Sequence, residues 1–145
     1  MKNIDRVKDD LKRHEGVVLQ VYRDSVGLPT VGVGHLVRPE DNLQVGQTIT
    51  PEQCEALLEK DMQSAIQGCE RLFPDFNEMR EELQLILANM MFNLGPERLA
   101  GFKKFLAAVK ERDYQQAADE MMDSQWYRQV KKRGEELVTR MRALA

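Results

Sequence analysis

Three residues near the N-terminus carry groups suited to acid–base chemistry: Glu15, Asp24 and Thr30. Eight residues separate the two acids, and five separate Asp24 from Thr30. A spacer of that length lets the chain leave one element and return along another, so the two carboxyl groups are able to face each other. Cleavage of a glycosidic bond uses such a pair. One carboxylic acid protonates the leaving oxygen, and one carboxylate steers a water or attacks the sugar itself. A threonine hydroxyl on a facing strand is able to hold the water. Spacing alone does not single out this pair, because the chain has 24 acidic residues.

Other chemistries fit less well. The only histidines are His14 and His35, and "HEGVV" lacks the second histidine of a zinc-binding helix. Cys54 and Cys69 fall on one predicted helix, roughly 22 Å apart at the helical rise. That is too far for a disulfide and unsuited to a zinc site; buried thiols in a reducing compartment are expected. "GVGVGH" does not open a helix, which argues against a phosphate cradle, and no GxSxG elbow exists.

The elements around these residues can be read from periodicity and caps. Ile4, Val7 and Leu11 recur at helical spacing, which predicts an amphipathic helix over 3–14 closed by Gly16. Glu15 then sits at a helix mouth. "VVLQVY" (17–22) is β-branched and aromatic and predicts a strand. "DSVGLPTVGVGHLV" has glycines or proline every few residues, which fits a tight hairpin or a three-stranded meander. "RPEDNLQVGQTI" reads as a loop. Thr50, Pro51 and Gln53 form a capping box that starts a helix over 51–71. "DFNEMREELQLILANMMFNLG" reads as one further helix, apolar on more than one face in its second half and so central, with Gly95-Pro96 as its stop. Shorter helices are predicted over 102–111, over 114–122 behind Asp113, and over 131–143, with "SQWYRQ" a turn or short helix. The fold class is α+β and mainly helical. One domain of two lobes is expected over 1–145. It has a small β-lobe (about 17–50), a long joining helix (51–71) and a helical lobe (72–145) on which the first helix packs, with a cleft between the lobes.

Charge narrows the function further. The net charge of −3 argues against a dedicated nucleic-acid binder. Yet residues 98–112 hold five bases and one acid, and residues 126–142 six bases and two acids. These are two candidate basic patches for a polyanion, set against the plainer expectation of solvated helix faces. No stretch is apolar enough for a membrane span, and the N-terminus lacks the apolar core of a secretory signal. A cytoplasmic protein without stable membrane association is expected.

The motif and its surroundings closely resemble the T-even phage lysozyme family, glycoside hydrolase family 24. The likeness covers "HEG" with Glu15, Asp24 and Thr30 at the family spacing, then "TVGVGHL", "NMMFNLGPERLAGFKKFL" (89–106) and "SQWYRQVKKRGEELV" (124–138), in family order. The resemblance implies a lysozyme-like fold and an N-acetylmuramidase. Such an enzyme cleaves the β-1,4 bond between N-acetylmuramic acid and N-acetylglucosamine in peptidoglycan, without metal or cofactor. It implies Glu15 as general acid, and Asp24 with Thr30 as holders of the water. Leu36 and Phe92 fall on family positions that touch the sugar chain. Arg133 falls where the family places a base near the glutamate, and His35 looks structural, with Asp61 as its expected acid. Two family substrate contacts fall on Phe105 and Glu120, which differ in type. A monomeric phage or prophage endolysin is implied, acting on glycan strands from the host bacterial cytoplasm once a separate holin opens the membrane. The alternative is a lysozyme-fold wall-binding protein without turnover.

Overall fold

The computed structural model describes residues 3–145; Met1 and Lys2 of the expected domain lie outside the described residues. Two compact units emerge, Asn3–Ser64 and Ala65–Ala145. Their architecture is the expected α+β one, 65% helical with a three-stranded antiparallel sheet.

In the first unit, α1 spans Ile4–Glu15. The Asn3 side chain accepts the Arg6 N–H at its start, and the Gly16 N–H closes it on the Lys12 carbonyl. Val7 and Leu11, one helical turn apart, are its buried stripe. Three strands follow: β1 (Val18–Arg23), β2 (Pro29–Gly32) and β3 (His35–Leu36), in meander order. Thr30 pairs with Tyr22 on one side and with Leu36 on the other. β1 is irregular between Val18 and Tyr22. There its outer edge is taken up by the segment 46–49, with the Val21 N–H on the Gln47 carbonyl (2.8 Å) and the Ile49 N–H on the Leu19 carbonyl (2.7 Å). The end of the stretch expected to be loop is thus sheet edge. Its polar Gln47 and Thr48 hide the signal, because the pairing is mostly between main-chain groups, with the Gln20 side chain adding one bond to the Gly46 carbonyl (3.0 Å).

The long helix, α2, runs over Pro51–Leu72 and continues from the first unit into the second. Its capping box is reciprocal: the Thr50 N–H donates to Gln53 Oε1 (2.8 Å), and the Gln53 N–H to Thr50 Oγ1 (3.1 Å). Lys8 of α1 donates to Glu55 and Glu59 of α2, and Lys12 pairs with Glu55. These contacts tie α1 to the first half of α2.

The second unit is built on α3 (Glu81–Leu94), buried from Leu83 through Met91. The expected helix over 75–95 therefore starts late. Residues 76–78 form a single 3₁₀ turn and Met79 is extended. Tertiary anchors override local propensity here. Phe76 and Met79 are buried, the Phe76 carbonyl accepts from the Gln84 side chain (2.7 Å), and the Asp75 carboxylate is held by Arg112. A short α4 (Pro96–Ala100), absent from the sequence expectation, restarts helix at Pro96 after Gly95 ends α3. Then come α5 (Lys103–Lys110), α6 (Tyr114–Met122), α7 (Gln125–Val130) and α8 (Lys132–Arg142). Asp113 and Ser124 cap α6 and α7 through their side chains. α8 packs on α3, α6 and α7, and α5 on α6. Cys54 and Cys69 are buried and unbridged, and burial pushes the Cys69 thiol up to about 12. No helix among the described residues is long and apolar enough to cross a membrane.

Candidate active site

Glu15, Asp24 and Thr30 all belong to the first unit. Glu15 is the last residue of α1, and its half-buried carboxyl lies against the turn between β2 and β3. A Cβ placed on Gly34 would stand 2.7 Å from both the carboxyl carbon and Oε1 of Glu15. Gly34 also has φ +62°, so its lack of a side chain serves twice, for the turn and for the acid.

Asp24 follows β1 at the hairpin to β2. Its N–H donates to the Leu28 carbonyl (2.9 Å) and its carbonyl accepts from the Gly27 N–H (2.9 Å), with Gly27 at φ +87°. This is a three-residue hairpin loop that closes through a glycine in the left-handed region. Asp24 Oδ1 accepts the N–H groups of Val26 (3.0 Å) and Leu28 (2.9 Å), while Oδ2 has no partner among the described residues. Thr30 is buried, and its hydroxyl donates to the Leu28 carbonyl (3.0 Å). One oxygen of the carboxylate and the proton of the hydroxyl are therefore both committed to the hairpin. What each residue can still offer is an acceptor: Asp24 Oδ2 and the lone pairs of Thr30 Oγ1.

Leu36, expected to touch sugar, is exposed and pairs directly with Thr30 across the sheet. Tyr22 pairs with Thr30 from the other side and is partly exposed. Directly opposed residues share a face, so Tyr22, Thr30 and Leu36 form one row. The sequence expectation did not include Tyr22 in this row. Its position two residues before Asp24, on the same side of a period-two strand, is the signal that could have found it.

His35 sits on the other face, buried and clamped between two acids. Its Nδ1 donates to Asp61 Oδ2 (2.6 Å) and its Nε2 to Asp41 Oδ2 (2.8 Å). Asp61 is the expected partner, whereas Asp41 lies in the stretch expected to be loop. The Asp61 bond is the largest influence on the imidazole and raises its pKa from the ordinary 6.5; burial opposes and Asp41 assists. For Asp41, burial pushes the acid up, but the bonds from His35 and the Arg38 N–H together hold its pKa below the ordinary 3.8.

The other expected residues lie in the second unit. Phe92 is half-buried near the end of α3. Arg133 is buried on α8, where its Nε donates to Asn89 Oδ1 (2.9 Å). Phe105 is 1% exposed and meets Phe102 edge to face, so it is a core residue with no surface for a substrate contact. Glu120 is half-buried on α6.

A short antiparallel meander in the first unit and a mainly helical second unit are consistent with an α+β lysozyme-like fold. Comparison with known proteins agrees. The model of the phage lysozyme family matches residues 12–143. A probable T4-type lysozyme 2 of Dictyostelium discoideum is 30% identical over 94% of this chain and 93% of its own length. The endolysin of Salmonella phage P22 is 37% identical over 75% of this chain and 73% of its own. The pre-baseplate central spike protein Gp5 of Enterobacteria phage T4 is 33% identical over 85% of this chain but only 25% of itself. The chain belongs to the phage lysozyme family. It is accordingly a glycoside hydrolase, a lysozyme-like peptidoglycan hydrolase.

Proposed function

We propose that the protein is an N-acetylmuramidase that cleaves the β-1,4 bond between N-acetylmuramic acid and N-acetylglucosamine with inversion. Glu15 delivers the proton to the leaving oxygen. Asp24 and Thr30 hold the attacking water on the other face of the sugar. One observation supports this division of labour above the rest. The Asp24 carboxylate and the Thr30 hydroxyl are both bound to Leu28, which leaves each with acceptor sites only. A water that donates one hydrogen to Asp24 Oδ2 and the other to Thr30 Oγ1 keeps a lone pair for the anomeric carbon. Asp24 then takes a proton as the new C–O bond forms, while Glu15 gives up its own. A directly attacking Asp24 would have no use for Thr30. Tyr22 and Leu36, in the row with Thr30, and Phe92 are assigned to the sugar chain.

In this reading the protein is a monomeric endolysin. It is made in the cytoplasm of an infected bacterium, meets peptidoglycan glycan strands after a holin opens the membrane, and needs no metal or cofactor. The endolysin name of the relative from phage P22 supports this role.

The test is digestion of purified peptidoglycan with NMR of the newly formed reducing ends before mutarotation. Muramic acid at the reducing end with the α anomer first is expected. A β-first product makes Asp24 a nucleophile and removes the water from Thr30. Binding to the wall with no released ends would leave a binding module instead of an enzyme.

A further inference from the structure

Each of the two basic stretches of the sequence is answered in part within the fold. In 126–142, Arg140 pairs with Glu82 and Glu136, Arg142 pairs with Asp119, and Arg133 donates to Asn89. In 98–112, the ammonium groups of Lys103, Lys104 and Lys110 enter no ion pair or hydrogen bond among the described residues. Two of these lysines, Lys103 and Lys110, line a pocket of about 420 Å³ that lies wholly within the second unit.

The pocket lies between α5 and the chain that follows α2. Phe73, Met79 and Leu106 give it an apolar lining. Lys103, Leu106 and Lys110 share one face of α5 over two turns, so an apolar middle is flanked by a cation at each end. The third cation, Arg112, is already used. It holds Asp75, and its guanidinium also donates to the Val109 carbonyl (2.7 Å), so it shapes the wall. The two lysines are therefore left to meet something from outside.

We propose that this pocket is a binding site for a single-chain anionic amphiphile, one apolar tail bearing a carboxylate or phosphate head. The tail lies along Phe73, Met79 and Leu106, and the head pairs with Lys103 or Lys110. The size suits a small molecule, and a mostly apolar lining with a few charged groups is how such sites are built. A neutral apolar ligand would leave both lysines unused. A long polyanion would gain nothing from the apolar lining, and the net charge of −3 disfavours it. The catalytic residues take no part, so the proposal stands apart from the reaction mechanism.

The experiment is NMR titration of the full chain with decanoate, decyl phosphate, decanol and phosphate ion, all below micelle formation. The proposal expects saturable one-to-one shifts confined to residues 72–79 and 100–112 with both anionic amphiphiles. It expects affinity at least tenfold weaker for decanol and for phosphate alone, and a similar tenfold loss in Lys103→Gln/Lys110→Gln. Leu106→Asp should abolish tail binding while leaving the remaining spectrum intact. Equal binding of decanol would overturn the role of the lysines. Shifts spread over the whole surface, or none, would overturn the site. Binding to anionic phospholipid vesicles without binding to the soluble amphiphiles would also overturn it, because the face would then be a membrane contact and not a pocket.

Discussion

The Glu15 carboxyl packs directly over the Cα of Gly34, 2.7 Å from where a side chain there would begin. The acid at the end of α1 is thus positioned by a turn of the sheet, and the absence of one methyl group is what admits it. Gly34→Ala should damage the enzyme in two ways. The positive φ costs about 1–3 kcal/mol of stability for a residue with a side chain. The added methyl must also push the carboxyl aside, which should lower kcat about a hundredfold, as misplacement of a catalytic group by about 1 Å does. Thermal unfolding and lysis rates on the same sample separate the two effects. A variant that is merely less stable, with unchanged kcat, would show that the Glu15 position tolerates displacement.

Glu15→Gln keeps the shape and removes the proton. The loss expected from removing a general acid is about 10²–10⁴-fold in rate, with the fold retained. Circular dichroism and peptidoglycan turnover measured together check this. A folded Gln variant with more than about a tenth of the parental rate would mean that another group protonates the leaving oxygen.

Thr30→Val is nearly isosteric and removes only the hydroxyl. The Leu28 carbonyl still accepts the Asp24 N–H, so it is not left unsatisfied. Stability should fall by no more than about 1 kcal/mol, while turnover drops about a hundredfold because the water loses one of its two acceptors. Thr30→Ser should lie between the two. It keeps the hydroxyl but not the β-branch that limits its rotamers. Equal rates for the Val variant and the parent would remove Thr30 from the mechanism.

The His35 clamp makes stability depend on pH from both sides. The imidazole's folded pKa is raised, so its contribution is complete below the ordinary value of 6.5 and is lost as pH rises through the folded value. Asp41 has a lowered folded pKa, so its contribution is present above the ordinary 3.8 and is lost as pH falls through the folded value. Stability from this group should peak between those limits. His35→Asn should cost about 3 kcal/mol near pH 5 and markedly less near pH 9. Urea unfolding at both pH values tests this, and an equal loss at both would mean that packing, not charge, holds the ring.

Much of this protein is determined within a few residues of chain. The helix starts at Thr50 and Asp113 and the stops at Gly16 and Gly95 were legible because capping acts within a single turn. The buried core of α3 was legible because its apolar residues crowd every face. The spacing of Glu15, Asp24 and Thr30 was legible as a motif for the same local reason: one short hairpin sets the geometry of Asp24 and Thr30. The tertiary structure decided what depends on the chain's return. It paired 46–49 with β1 mostly through main-chain groups, whose partners the order of side chains does not reveal. It delayed α3 until Glu81, because Phe76, Met79 and Asp75 found partners elsewhere in the unit. It brought Asp41 to His35 opposite Asp61, residues that lie 6 and 26 positions away in the chain. It also paired Arg140 and Arg142 with acids from α3 and α6, while leaving Lys103 and Lys110 beside a pocket. Charge and hydrogen-bond partners are chosen by proximity in space, and a linear pattern records only proximity along the chain.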